Sequence, residues 1–317
     1  MTKVFMSRPL PESVQQAAQA LFDVDVREIT TPLTGDEMRR ALTEYDAVVP
    51  TLGDMFTAEV FADVPDPRCR LLANFGVGYN HIDVEAARAA GIAVTNTPGA
   101  VTDATADTAM CLMLMTARRA GEGERLLRAG RWEGWHPTQL LGMHLSGKTV
   151  GIVGMGRIGQ AIARRCHMGF GMEIAYHSRS PKTLDFPATQ KASLVELAAA
   201  VDVLVIAVPG GAETHHLIDG PVLAAMQPHA HLVNIARGNV VEEAALISAL
   251  QNGLIAGAGL DVYEFEPDVP AALMAMENVA LLPHLGTAAL EVREDMGMMS
   301  VANLAAFFDG KALPNVV

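Results

Sequence analysis

Aromatic residues make up only 5% of this chain of 317 residues, and it has just three cysteines. Charged residues amount to 19%, with acids outnumbering bases 36 to 23. Each shortage excludes something. Sparse aromatics leave Ala, Val, Leu, Ile and Met to fill the interior, which suits parallel sheets between helices better than an all-β sandwich. A net charge of −13 argues against a nucleic-acid partner, since such binding rests on clustered Lys and Arg. Cys69, Cys111 and Cys166 show neither paired nor metal-like spacing; they read as free thiols of a reducing compartment, and no metal is assigned. The most apolar stretches, "AMCLMLMTA" and "VDVLVIAVPGG", fall short of a membrane span. The opening "MTKVFMSRPL" lacks the apolar core of a signal peptide. The expectation is a soluble, cytoplasmic protein.

Hydrophobic residues, at 50%, are plentiful, and the length suits two domains better than one. Apolar runs alternate with helical patterns almost throughout, the mark of parallel α/β architecture. Strand-like "KVFMS", "FDVDVRE", "DAVVPT", "RLLANF" and "IAVTNT" occupy the first third, separated by helical stretches such as Glu12 to Leu21 and Asp36 to Leu42. Pro98 and Gly99 break this pattern. The helix expected from about Asp103 to Ala120 has a middle, "TAMCLMLMTA", that is apolar on every face. Such a helix is buried on all sides, either in one large core or between domains or subunits. Further strands are expected near Glu173–His177, Val203–Val208, His231–Ala236, Ile255–Val262 and Val279–Leu282, with a closing helix from Ala289 to Phe308.

Chemistry enters at "TVGIVGMGRIGQAIARR", where Gly154, Gly156 and Gly159 form G-x-G-x-x-G. An apolar strand precedes them and a helix follows, with Ile158, Ile162 and Cys166 inward and Arg164 and Arg165 outward. That context reads as a dinucleotide fingerprint. Gly154 permits the tight turn, Gly156 lets a pyrophosphate approach, and Gly159 lets helix and strand pack closely. Upstream, "LLANFGVGYNHIDVEAA" has Gly76 and Gly78 but no third glycine in place. It reads either as a plain turn or as a loop offering amides to a carboxylate.

Three ionisable residues end three successive strands: Arg237 after "HLVNIA", Asp261 in "AGAGLDV", and His284 in "VALLPHLGT". Glu266 lies just beyond Asp261. Ligands of doubly wound sheets bind outside the carboxyl ends of strands. Arg237 alone could be a solvated loop residue. In this company it reads as a cation aimed into a cleft, able to grip a carboxylate and polarise a carbonyl. His284 is a natural proton donor, and Glu266 could fix its tautomer.

The strand "GMEIAYHSRSPK" ends in His177, Ser178, Arg179 and Ser180, and Glu173 stands too early to reach a ribose. NAD-preferring folds place an acid about 20 residues beyond the glycines, at the tip. The arginine between two hydroxyls reads either as an ordinary basic turn or as a seat for a 2′-phosphate; on the second reading NADPH is the expected coenzyme, with NAD possible.

In order along the chain, "NFGVGYNHID", "VTDATADTA", "GIVGMGRIGQ", "VNIARG", "GLDVYEFEP" and "PHLGT" make it resemble the D-isomer-specific 2-hydroxyacid dehydrogenase family, nearest its glyoxylate/hydroxypyruvate reductase branch. NADPH-linked members of that branch share a similar Ser/Asn-Arg-Ser tip. The resemblance implies two doubly wound parallel-sheet domains. A Rossmann coenzyme domain, residues 100–285, would be inserted into a discontinuous flavodoxin-like substrate domain, residues 1–99 and 286–317. It implies a catalytic set of Arg237, Glu266 and His284, with Val77 and Gly78 on the substrate carboxylate. Coenzyme contacts would come from Gly154, Met155, Gly156, Arg157, Ile158, Gly159, Ser178, Arg179, Ser180, Val208, Pro209, Ile235, Ala236, Arg237, Asp261, His284 and Gly286. It further implies a homodimer, which favours a subunit interface for the apolar helix, with Trp135 in the partner's substrate pocket or, failing that, merely covering a hinge. The implied reaction is reduction of a small 2-oxo acid such as glyoxylate or hydroxypyruvate. The alternative is a nucleotide-sensing, corepressor-like binding protein on the same fold. Two departures stand out: Gly210 and Gly211 replace a Leu-Thr pair common in relatives, and Glu266 replaces the glutamine of the formate-oxidising branch.

Overall fold

The computed structural model describes residues 1–317 and divides into two compact units, Met1–Val101 with Thr287–Val317, and Thr102–Gly286. Both are built on all-parallel sheets flanked by helices.

The first unit holds β1 (Lys3–Met6), β2 (Asp23–Val26), β3 (Ala47–Val49), β4 (Leu71–Ala73) and β5 (Ala93–Thr95). Their order is β2-β1-β3-β4-β5, the flavodoxin-like arrangement. Its central strands are short apolar triplets, "AVV" and "LLA", buried on both faces because helices cover the sheet above and below. Side chains start these helices. Thr34 and Glu37 form a reciprocal capping box before Gly35–Glu44, and Asp83 accepts from the Ala86 amide before Val84–Ala89. The closing helix Leu290–Phe308 returns to this unit and packs on helix Glu12–Gln19 and β4, burying Met296, Val301 and Leu304.

The second unit holds β6 (Thr149–Val153), β7 (Glu173–His177), β8 (Thr189–Gln190), β9 (Val203–Ile206), β10 (His231–Asn234), β11 (Gly257–Leu260) and β12 (Val279–Leu281). The order β12-β11-β10-β9-β6-β7-β8 is the dinucleotide-binding one with a seventh strand added. Strand order reverses between β6 and β9, so the crevice lies beyond the end of β6, where the glycine loop begins. Alternation along each strand feeds two cores. Leu204, Ile206 and Leu232 join one, while Val203, Val205 and Val233 join the other. Each such fully buried aliphatic side chain contributes about 1.5–3 kcal/mol.

Two expectations are corrected here. The apolar helix runs from Thr102 only to Ala117, and a separate helix spans Ala120–Arg128. Between them Arg119 adopts a left-handed conformation, φ 52°, which no α-helix can continue through. Nor is the helix buried on every face within the chain. Ala109, Leu112, Met113 and Thr116 are buried, whereas Asp107, Cys111 and Leu114 stand exposed along the other side. The second correction concerns Arg165, which does not simply face out. It lies half-buried against the same helix, paired with Asp103 at 2.9 Å and Asp107 at 2.8 Å.

Candidate active site

The glycine loop after β6 shows why three glycines are needed. Gly154 has φ 95°, and an added Cβ would lie 2.7 Å from the Ala207 carbonyl oxygen. At Gly159 a Cβ would press to 2.1 Å from the carbonyl of Gly154, so the helix Arg157–Phe170 could not approach the turn. Gly156, by contrast, faces open space. A cradle with room at its centre and a helix N-terminus behind it fits a pyrophosphate. Arg157 is exposed and Ile158 half-buried at this helix start. Met155 is buried in the core, so only its backbone can serve a coenzyme.

Across the crevice, Val208 and Pro209 follow β9, half-buried and exposed respectively. At the tip of β7 the Ser178 hydroxyl donates to the Ser180 carbonyl at 2.6 Å, folding the tip into a turn. Arg179 projects from it with its side chain 92% exposed and meets Glu213 at 3.2 Å. The sequence reading missed Glu213, because it comes from the segment after β9 rather than from the tip itself.

Beyond β10, Ile235 and Ala236 are buried and Arg237 is half-buried. The Asn234 side chain shapes this turn, accepting from the Ala236 amide and donating to the Arg237 carbonyl, both at 3.0 Å. Gly238 then passes so near Tyr263 that a Cβ would fall 1.8 Å from its carbonyl carbon. Only glycine permits this approach, and it brings the β10 loop against the one carrying Glu266. Burial pushes the pKa of the Arg237 guanidinium down, opposed by the charge of Glu266.

His284 and Glu266 form a pair, Nδ1 to Oε2 at 2.8 Å, while the Tyr263 amide donates to the other carboxylate oxygen at 3.0 Å. Burial pushes the Glu266 carboxyl up. The hydrogen bond and charge of His284, the Tyr263 amide and the charge of Arg237 outweigh it and hold the group below the usual range. An ionised carboxylate only accepts, so Nδ1 carries the hydrogen and Nε2 is left for other chemistry. His284 itself has φ 55°. Its turn is held by Asp261, only 1% exposed, whose carboxylate accepts from the Leu285 and Gly286 amides at 2.6 and 2.8 Å. Burial raises the Asp261 pKa against those bonds and the charge of His284. Holding this turn is a structural task ahead of any coenzyme contact.

In the other unit, the loop after β4 is shaped by two asparagines that the sequence reading did not single out. Asn74 donates to the carbonyls of Gly76 and Gly78 at 3.0 Å each, and Asn96 donates to that of Val77 at 2.9 Å. A trans peptide opposes its C=O and N–H, so anchoring these carbonyls turns the Val77 and Gly78 amides the other way. Trp135 is 80% exposed in an irregular stretch, and Trp132, also exposed, donates to Gln139 at 3.3 Å.

A dinucleotide cradle beside a histidine–carboxylate pair and an arginine, all on one strand-end rim, defines a nicotinamide-dependent oxidoreductase. Residues 110–286 match the family described as D-isomer specific 2-hydroxyacid dehydrogenase, NAD binding domain. A glyoxylate reductase of Pyrococcus furiosus is 44% identical over 99% of this chain and 95% of its own length. Among solved structures, an NADPH-dependent glyoxylate/hydroxypyruvate reductase of Sinorhizobium meliloti, in complex with NADP and malonate, superimposes with a TM-score of 0.87 at 40% identity. That match covers 100% of this chain and 96% of the other. A Polaromonas protein assigned to the D-isomer specific 2-hydroxyacid dehydrogenases reaches a TM-score of 0.93 at 36% identity, covering 100% and 99%. The chain belongs to the D-isomer-specific 2-hydroxyacid dehydrogenase family, in its glyoxylate reductase branch. It is an enzyme, an oxidoreductase. No helix is long and apolar enough to cross a membrane.

Proposed function

We propose that this enzyme reduces a small 2-oxo acid, glyoxylate or hydroxypyruvate, to the D-2-hydroxy acid, with NADPH preferred over NADH. The observation that carries the reading is the His284–Glu266 pair with Nε2 free for substrate. The glyoxylate and hydroxypyruvate reductase activities of the Pyrococcus and Sinorhizobium relatives support the substrate class.

Gly154, Gly156 and Gly159 would hold the coenzyme pyrophosphate with the backbone of Met155, Arg157 and Ile158. Val208, Pro209, Ile235, Ala236, Asp261 and Gly286 would line the rest of its path, and Ser178, Arg179 and Ser180 would take the 2′-phosphate. A bound reduced nicotinamide supplies a hydride for the substrate's C2. Arg237 orients the substrate by its carboxylate and polarises the neighbouring carbonyl, and the Val77 and Gly78 amides share the carboxylate. Protonated His284 gives its Nε2 proton to the carbonyl oxygen as C2 is reduced. Glu266 accepts from Nδ1 and so keeps the ring in one tautomer, with Nε2 toward the substrate. One proton and one hydride convert the oxo acid to the hydroxy acid, and every step reverses. A homodimer, with the apolar helix at its interface and Trp135 reaching the partner's pocket, is part of the proposal. So is a cytoplasmic location, which three unpaired cysteines suit.

The test is oxidation of NADPH and NADH with glyoxylate, hydroxypyruvate, pyruvate and phenylpyruvate. Turnover of the first two with NADPH is expected. Failure with every 2-oxo acid would remove the substrate assignment.

A further inference from the structure

Outside the Arg237, Glu266 and His284 set, a second group of chemistry-bearing side chains gathers on the coenzyme-binding unit. His215 and His216 lie on the segment after β9, and Glu264 on the loop after β11, and one ligand atom from each falls within 4.8 Å of the others. His216 Nε2 is 2.8 Å from Glu264 Oε1, and the two imidazoles stack with centroids 3.9 Å apart. The backbone beneath them is pinned. His216 sits at φ 49° and donates its amide to the Asn239 carbonyl at 2.8 Å. The Glu264 amide donates to the Glu243 carboxylate at 3.3 Å, and the Glu243 amide donates back to Glu264 at 3.4 Å.

We propose that His215, His216 and Glu264 form a binding site for a divalent transition-metal ion of the zinc type. Nothing local in the sequence points to one, because His216 and Glu264 are 48 positions apart and only the fold joins them. Two imidazoles with one carboxylate suit zinc, cobalt, nickel or copper, whereas magnesium and calcium take all-oxygen shells. Bonds of about 2.0–2.1 Å around a tetrahedral ion place N and O roughly 3.3 Å apart. The His216–Glu264 contact therefore needs to open by only a few tenths of an ångström to admit the ion. Glu243 adds a second carboxylate behind Glu264, favouring a cation at this point. Three protein ligands leave a fourth position for water. Its effect is mechanical. The ion ties the segment following Pro209, Gly210 and Gly211, which borders the coenzyme crevice, to the loop that ends in Glu266, two residues beyond Glu264.

The test is titration of the untagged protein with Co²⁺ near neutral pH, followed by visible absorption and equilibrium dialysis. One equivalent should bind with the absorption bands of a nitrogen- and oxygen-ligated ion. His215→Ala removes an exposed ligand and Glu264→Gln keeps a hydrogen-bonding oxygen, so both should fold. Each should weaken binding by more than about tenfold, since even outer-shell losses cost roughly 10–100-fold. Absence of saturable Co²⁺ binding to the wild-type protein overturns the site, and so does equal binding by wild type and both variants.

Discussion

His284 Nδ1 lies 2.8 Å from Glu266 Oε2 in a residue whose backbone is held at φ 55°. A left-handed, non-glycine conformation costs about 1–3 kcal/mol and persists only where the surroundings over-determine it. Here they do so through the Asp261 carboxylate, which binds the next two amides. The strain fixes the direction of one ring. His284→Ala should therefore lower kcat by roughly 10²–10⁴-fold while coenzyme affinity, read by fluorescence titration, stays near wild type. Glu266→Gln should lose less, because an amide still holds the ring but supplies no charge. A His284→Ala variant within threefold of wild-type kcat would remove the proton-donor role.

Arg237→Lys tests the carboxylate grip. A lysine keeps the charge and loses the planar fork, so a hydrogen bond to a charged group is forfeited at about 1.5–3 kcal/mol. That corresponds to roughly 10–150-fold in kcat/KM. Retention within about threefold would show that Arg237 does not clamp the substrate.

How much of this was legible beforehand depended on whether the cause was local. Strands buried on both faces announce themselves as unbroken apolar runs, which is why "DVLVIAV" and "HLVNIA" read correctly. β8 has only Thr189 and Gln190, both exposed, and carries no such signal. Arginine is a good helix former, so nothing local marks the break at Arg119. Arg237, Asp261 and His284 stood out because ionisable groups rarely end buried strands, and Glu266 drew attention by lying just beyond Asp261. Other partners did not: Asn96 reaches the Val77 carbonyl across 19 positions, and Glu213 meets Arg179 across 34. Such partners are set by tertiary structure alone.

A pH dependence of stability follows from His231. Its side chain is 7% exposed, and burial, aided by His229, pushes its pKa from 6.5 down to about 4. The unfolded chain then binds the proton more readily, so stability is full above pH 6.5 and is lost as pH falls toward 4. At pH 5 the loss from this group is about 2 kcal/mol. Urea unfolding at pH 7 and pH 5 should show it. His231→Gln should be less stable than wild type at pH 7 but lose correspondingly less on acidification, and an unchanged pH slope would exclude His231 as the cause.

Trp135, with 80% of its surface exposed within the chain, is proposed to act in the partner's pocket. Mixed dimers of Trp135→Ala and His284→Ala protomers decide this. If the tryptophan acts in trans, one site of each mixed dimer combines an intact His284 with the partner's intact Trp135, and activity recovers toward half of wild type. If it acts within its own chain, no site is complete and mixing restores nothing.

Arg179 and Glu213 set the last expectation, which concerns the coenzyme. No acid stands at the tip of β7 to repel a 2′-phosphate, and Ser178 and Ser180 flank the arginine. The kcat/KM with NADPH should exceed that with NADH by at least about tenfold, a margin of about 1.4 kcal/mol that one charge-assisted hydrogen bond can supply. Arg179→Ala should weaken NADPH and leave NADH nearly unchanged, whereas equal losses would mean that Arg179 does not read the phosphate. Glu213 complicates the binding step, because its carboxylate lies 3.2 Å from the guanidinium and must give way to the phosphate. Both side chains are exposed, at 92% and 85%, so the pair is weak and screened by salt. Glu213→Gln should accordingly lower KM for NADPH by only about two- to fivefold, with NADH unaffected, and the gain should shrink as ionic strength rises. A gain shared by both coenzymes would place the effect of Glu213 on the nucleotide they have in common, not on the 2′-phosphate.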